Sequence, residues 1–95
     1  MEISTSSNTV TINGNIKSVN NFQIIKHNLD NIISKNQSIT VNIVDSLSMT
    51  SSVIGYFNKL ILGDNINIQM KIGNKQLFEL LDDLNLISTF NVRKV

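Results

Sequence analysis

Between Asn20 and Lys35 the apolar residues Phe22, Ile25, Leu29, Ile32 and Ile33 recur at intervals of three and four. That spacing lines one face of a helix and predicts the clearest helix in the chain, with Ser18 or Asn20 placed to cap its start. Upstream, in "MEISTSSNTVTINGNI", Val10, Ile12 and Ile16 alternate with polar residues and Gly14 interrupts them. A period of two predicts one or two half-buried strands, with a bulge or turn at the glycine. Downstream, "SITVNIV" from Ser38 to Val44 is rich in β-branched residues, which favours a strand inside a sheet. Val53, Phe57, Leu60 and Ile61 then form a second helical stripe that ends at Gly63, a residue able to close a helix in the left-handed conformation. "NINIQMKI", Asn65 to Ile72, alternates strictly, with Ile66, Ile68, Met70 and Ile72 on one face, and predicts a strand covered on one side. Gly73 and Asn74 open a third helix carrying Leu77, Leu80, Leu81 and Leu84, and "STFNVRKV" reads as a short edge strand or strand-like tail.

The order ββ-α-β-α-β-α-β predicts an α/β layer with right-handed crossovers. Its core draws on Leu29, Ile32, Ile43, Phe57, Leu60 and Leu81. With 95 residues and no linker or internal repeat, the expectation is one domain over residues 1–95, whose function lies on a small surface.

Composition narrows the chemistry. The formal charge is +1 and the charged residues are scattered singly or in pairs, so there is no basic stripe for nucleic acid. The absence of cysteine removes disulfides, thiol nucleophiles and Cys-ligated metals, and one histidine gives no basis for a metal or cofactor site. No apolar run reaches the roughly 18 residues of a membrane span, and "MEISTSSNTV" is too polar for a signal peptide, so the chain is expected to be cytoplasmic. Asparagine and isoleucine supply 15 residues each while alanine is missing, a bias we read as that of an AT-rich, bacterial genome.

The densest local signal is "SLSMTSSVIGYF", Ser46 to Phe57, where five hydroxyl residues fall within seven positions just before the second helical stripe. The first four N–H groups of a helix lack intrahelical acceptors, so Thr50 or Ser51 is a natural N-cap. A phosphate on a first-turn serine would meet the same free amides and the positive end of the helix dipole. Elsewhere the signals are weaker. His27 lies off the apolar stripe, Asp45 reads as a turn residue, and Asp82 and Asp83 read as a solvated face. "IGNK" lacks the second glycine and the Lys-Ser/Thr ending of a phosphate loop. No nucleophile, base and orienting group can be assembled, so an enzyme is not expected.

Taken together, these segments resemble the STAS domain, the family of the bacterial anti-sigma factor antagonists, from about Thr9 to Val92. "VTINGNIKS" resembles the family's opening strand and glycine, with Lys17 at the position of the usual aspartate. "VNIVDSLSMTSSVIG" resembles the central strand and the Asp-Ser-Ser-Gly hallmark. Asn42 stands at the strand's aspartate, and Thr50, Ser51, Ser52 and Val53 occupy the four hallmark positions. "LLDDLNLISTF" is similar to the family's closing pattern, with Asn85 replacing its glycine.

The resemblance implies a STAS-like fold, a four- or five-stranded mixed sheet with helices packed mainly on one side. It implies a non-catalytic, cofactor-free binding module whose partner is an anti-sigma factor or serine kinase-like protein, served by a PP2C-type phosphatase. Ser51 would be the phosphoacceptor, with Thr50 and Ser52 as further candidates, and docking would use Ser48, Met49, Thr50, Ser51, Ser52, Val53 and Tyr56. A second role within the family is a subunit that grips the ATPase of an ABC-type lipid transporter without inserting into the membrane.

Overall fold

The computed structural model describes Met1–Val95 as a five-stranded mixed sheet with its helices in the connections. Strands β1 (Glu2–Ser6) and β2 (Thr9–Asn13) form an antiparallel hairpin, followed by β3 (Ser38–Ile43), β4 (Asn67–Ile72) and β5 (Val92–Lys94), all parallel to β2. Helix α1 (Val19–Ile33) joins β2 to β3, α2 (Ser51–Asn58) joins β3 to β4, and α3 (Lys75–Asp83) joins β4 to β5. Spatial order equals chain order, so β3 is the central strand. Every crossover steps the same way across the sheet, and right-handed crossovers that never reverse direction put their helices on one face.

Burial follows that topology. Val10, Ile12, Ile39, Val41, Ile43, Ile68, Met70 and Ile72 form the covered face and are all buried. The opposite face carries Ser4, Thr11, Asn42 and Lys71 in one row and Ser6, Thr9, Thr40 and Gln69 in the next. Onto the apolar face α1 lays Ile25, Leu29 and Ile32, α2 lays Val53 and Phe57, and α3 lays Leu77 and Leu81. All six residues expected in the core are buried, in one cluster with Phe90.

Several local readings change. The first reversal falls at Ser7, which takes φ +54, rather than at Gly14, which follows β2 at φ +88. Gly63 does not close the second helix in a left-handed turn. The chain widens instead into a π-helical turn, Lys59–Gly63, and the left-handed residue is Asn65 at φ +56. Strand β4 begins at Asn67, two residues later than the alternation suggests. Leu84 caps α3 and is half exposed instead of joining the stripe. Asn85 does adopt φ +59, as asparagine at a left-handed helix end can.

Candidate functional site

The loop from Val44 to Thr50 leaves the carboxyl end of the central strand and delivers the start of α2. Its first half is stitched to the neighbouring loop after β2. The Asp45 carboxylate accepts from the Gly14 amide at 2.7 Å, and Asn15 Oδ1 accepts from the Leu47 amide at 3.0 Å. Ser46 is the one buried polar residue of the chain. Its hydroxyl accepts from the Ile16 amide at 3.0 Å and donates to the Ser48 carbonyl at 2.7 Å, so both of its roles are internal. From the other side Gly73 donates to the Ile43 carbonyl at 2.9 Å, and a Cβ at Gly73 would lie 2.0 Å from the Val44 carbonyl oxygen. Only glycine lets β4's exit pass this close.

In the second half of the loop Met49 turns inward, while Ser48 and the start of α2 present hydroxyls to solvent. Thr50 is the N-cap of α2: its hydroxyl accepts from the Val53 amide at 3.3 Å, and its carbonyl from the Ile54 amide at 3.0 Å. With Thr50 in that role, Ser51 and Ser52 occupy the first two helical positions and are exposed. Neither their amides nor their hydroxyls bond within the chain, and the Ser48 hydroxyl is free as well. No acidic residue lies in the first turn, so nothing offsets the positive end of the helix there.

Three residues expected at the surface are withdrawn from it. Val53 is fully buried beneath α2, and Met49 and Tyr56 are each 6% exposed. Val53 and Tyr56 share the helix face that buries Phe57, and Met49, in the loop just before the cap, joins the same core cluster. Tyr56 instead braces α1 against α2. Its hydroxyl donates to the Asp30 carboxylate, its ring meets Phe22 edge-on at 6.1 Å, and Lys26 Nζ lies 5.8 Å from the ring centre. Burial raises the Tyr56 phenol above its ordinary range, reinforced by the Asp30 carboxylate. For Asp30, burial pushes the carboxyl up, but the hydrogen bonds from Tyr56 and Lys26 together outweigh it and hold the group below its usual value.

Two apolar residues that the sequence did not single out enter the surface. Val19, at the first position of α1, is 77% exposed, and Leu47 in the loop is 46% exposed. Val19 lines a cleft of about 140 Å³ between the starts of α1 and α2, with Lys17, Ser18, Phe22, Thr50 and Ser52. Ser18 caps α1 reciprocally with Asn21, so both walls of the cleft are helix starts fixed by side-chain caps. A spacing signal was present for Val19, three residues before Phe22, but position one of a helix projects past the body that it packs on.

Asn42 reaches only Thr11 on the open face, 3.5 Å away, while His27, Asp82 and Asp83 are solvent-facing. No three His, Asp or Glu side chains gather anywhere in the chain, and no helix is long and apolar enough to cross a membrane. No protein-family model, curated protein or solved structure matches this chain.

Proposed function

We propose that the chain is a STAS-type, non-catalytic protein-binding module that acts like an anti-sigma factor antagonist. It docks an anti-sigma factor or serine kinase-like partner through the surface around Ser51 and is switched by phosphorylation of that residue. The observation that carries this reading is the division of labour at the start of α2. Thr50 satisfies the helix cap, leaving Ser51 exposed with a free hydroxyl next to two free amides. A phosphate there would add about −1.5 to −2 charge without disturbing any internal bond, and would oppose docking by repulsion and desolvation. Exposed Val19 and Leu47 supply apolar contact beside the hydroxyls, and the stitched loop holds the patch in one shape for a partner. The order and pairing of the strands support the same reading.

The transporter role is a second reading, favoured by Thr50 itself: the hallmark carboxylate is replaced by a residue committed to capping. Affinity capture from the native cell with parent and Ser51→Asp baits, read by mass spectrometry, separates the two. A kinase-like ATPase recovered by the parent and lost with Ser51→Asp supports the switch. A transporter ATPase recovered equally by both selects constitutive gripping, and recovery of neither class overturns the proposal.

A further inference from the structure

The face of the sheet without helices is neutral across its centre, with Glu2 on the β1 edge and a pair of cations at the opposite end. Lys71 and Arg93 are register partners on the adjacent parallel strands β4 and β5, so their backbones lie about 5 Å apart. Both are exposed; Lys71 projects from the open face because its neighbours Met70 and Ile72 face the core, and its register partner Arg93 projects from the same face. Neither has a carboxylate within 4 Å: the chain's ion pairs are Lys26–Asp30 and Lys75–Glu79, on α1 and α3. Along the same row the sheet offers only Asn42, Thr11 and Ser4. Like charges set side by side on a sheet repel and destabilise it, and neither cation of this pair is in an ion pair.

The two cations also border a cleft of about 450 Å³, with Gln69, Ser88 and Asn91 as polar walls and Ile87 among the apolar ones. Asn91 is committed to the scaffold. At φ +49 its side-chain amide donates to the Ile68 carbonyl at 2.9 Å, which pins the turn against β4. The Gln69 amide and the Ser88 hydroxyl make no hydrogen bond within the chain. The volume falls in the range of small-molecule sites, about 300 to 1,000 Å³.

We propose that this cleft binds a small phosphorylated molecule, its phosphate held between Lys71 and Arg93. A phosphate dianion offsets both cations, whereas a single carboxylate would leave one uncompensated. Arg93 supplies a planar fork of donors and Lys71 a point charge, with Ser88 and Gln69 as neutral donors. On the open face the positive charge stops at this pair, since Lys94 shares the opposite face with Ile72, so a polyanion would find nothing to track along that face.

The test is titration of the full chain with inorganic pyrophosphate and with ADP, followed by calorimetry and by backbone amide shifts. Saturable binding with shifts confined to Gln69, Lys71, Ser88 and Arg93 is expected. Lys71→Gln and Arg93→Gln should each weaken it about tenfold or more, the loss of one charge-assisted hydrogen bond. Lys75→Gln, on α3, should leave it unchanged. Equal affinities would identify the phosphate group alone as the ligand, and tighter ADP would identify a nucleotide. As an independent reading, either substitution should raise the melting temperature of the free chain by removing the repulsion. Absent or unsaturable binding overturns the proposal, as does equal weakening by Lys75→Gln. A single-stranded oligoribonucleotide bound more tightly than pyrophosphate also overturns it, in favour of a nucleic-acid surface.

Discussion

Ser46 and Ser51 lie five positions apart in one hydroxyl-rich stretch and do opposite things. Ser46 is fully buried and spends its hydroxyl on two backbone groups, tying the loop after β3 to the loop after β2. Ser51 is exposed, bonds to nothing in the chain, and sits on a helix whose cap its neighbour Thr50 already provides. The difference is set by what surrounds each residue. Ser46 follows a strand that is locked between two others, and Ser51 begins a helix whose outer surface faces solvent. One half of the stretch builds a rigid platform, and the other half is offered on it.

The platform should break first. Gly73→Ala forces a Cβ to 2.0 Å from the Val44 carbonyl oxygen, a backbone atom that cannot swing aside. A loss of about 3 kcal/mol in denaturant titration is expected, because overpacking here must move the loop. Ser46→Ala leaves the buried Ile16 amide without its acceptor and should cost about 2 kcal/mol. Stability within about 0.5 kcal/mol of the parent would mean that water replaces the hydroxyl and the platform is less closed than described. On the presented half the effects shrink. Thr50→Ala should cost about 1 kcal/mol through the lost cap, while Ser51→Ala should stay within about 0.5 kcal/mol. A larger cost at Ser51 than at Thr50 would reverse the assignment of the two roles.

A small electrostatic effect lies behind the patch, where Tyr56 and Asp30 join α1 to α2. The Asp30 carboxyl is held below its ordinary 3.8, so its contribution is complete above that value and drains away as pH falls through the lower folded value. With the side chain 45% exposed, solvent limits the contribution to below about 1 kcal/mol. Tyr56→Phe should therefore lower stability at neutral pH and converge on the parent in acid. Parallel curves across that range would show that the pair is not linked to folding.

The fold was legible where burial alone dictates the pattern. The stripes of α1 and α3 and the alternation of β4 appear in the sequence because each element covers or is covered on one side only. The turn at Ser7, the π turn after Asn58 and the left-handed Asn65 were not legible, since each depends on where the next strand must start rather than on its own residues. The same limit applies at the site. Crowded hydroxyls marked the junction, but which of them cap, which brace and which are offered depends on the loop after β2, some 30 residues away. Tyr56 and Met49 read as surface residues in the sequence and proved buried, Tyr56 against α1 and Met49 in the core cluster, and Val19 became part of the surface only through the meeting of two helix starts.

The most direct measurement is the calorimetric affinity of Ser51→Asp for the captured partner, taken with its melting temperature. A carboxylate in the first turn faces the positive end of α2, so the melting temperature should hold or rise slightly, by the equivalent of about 0.3 to 1 kcal/mol. Affinity should fall about a hundredfold or more, since a charge has been placed in a surface that must desolvate on docking. A variant that melts like the parent and also binds like the parent would contradict the account and reduce Ser51 to an exposed residue beside a helix cap.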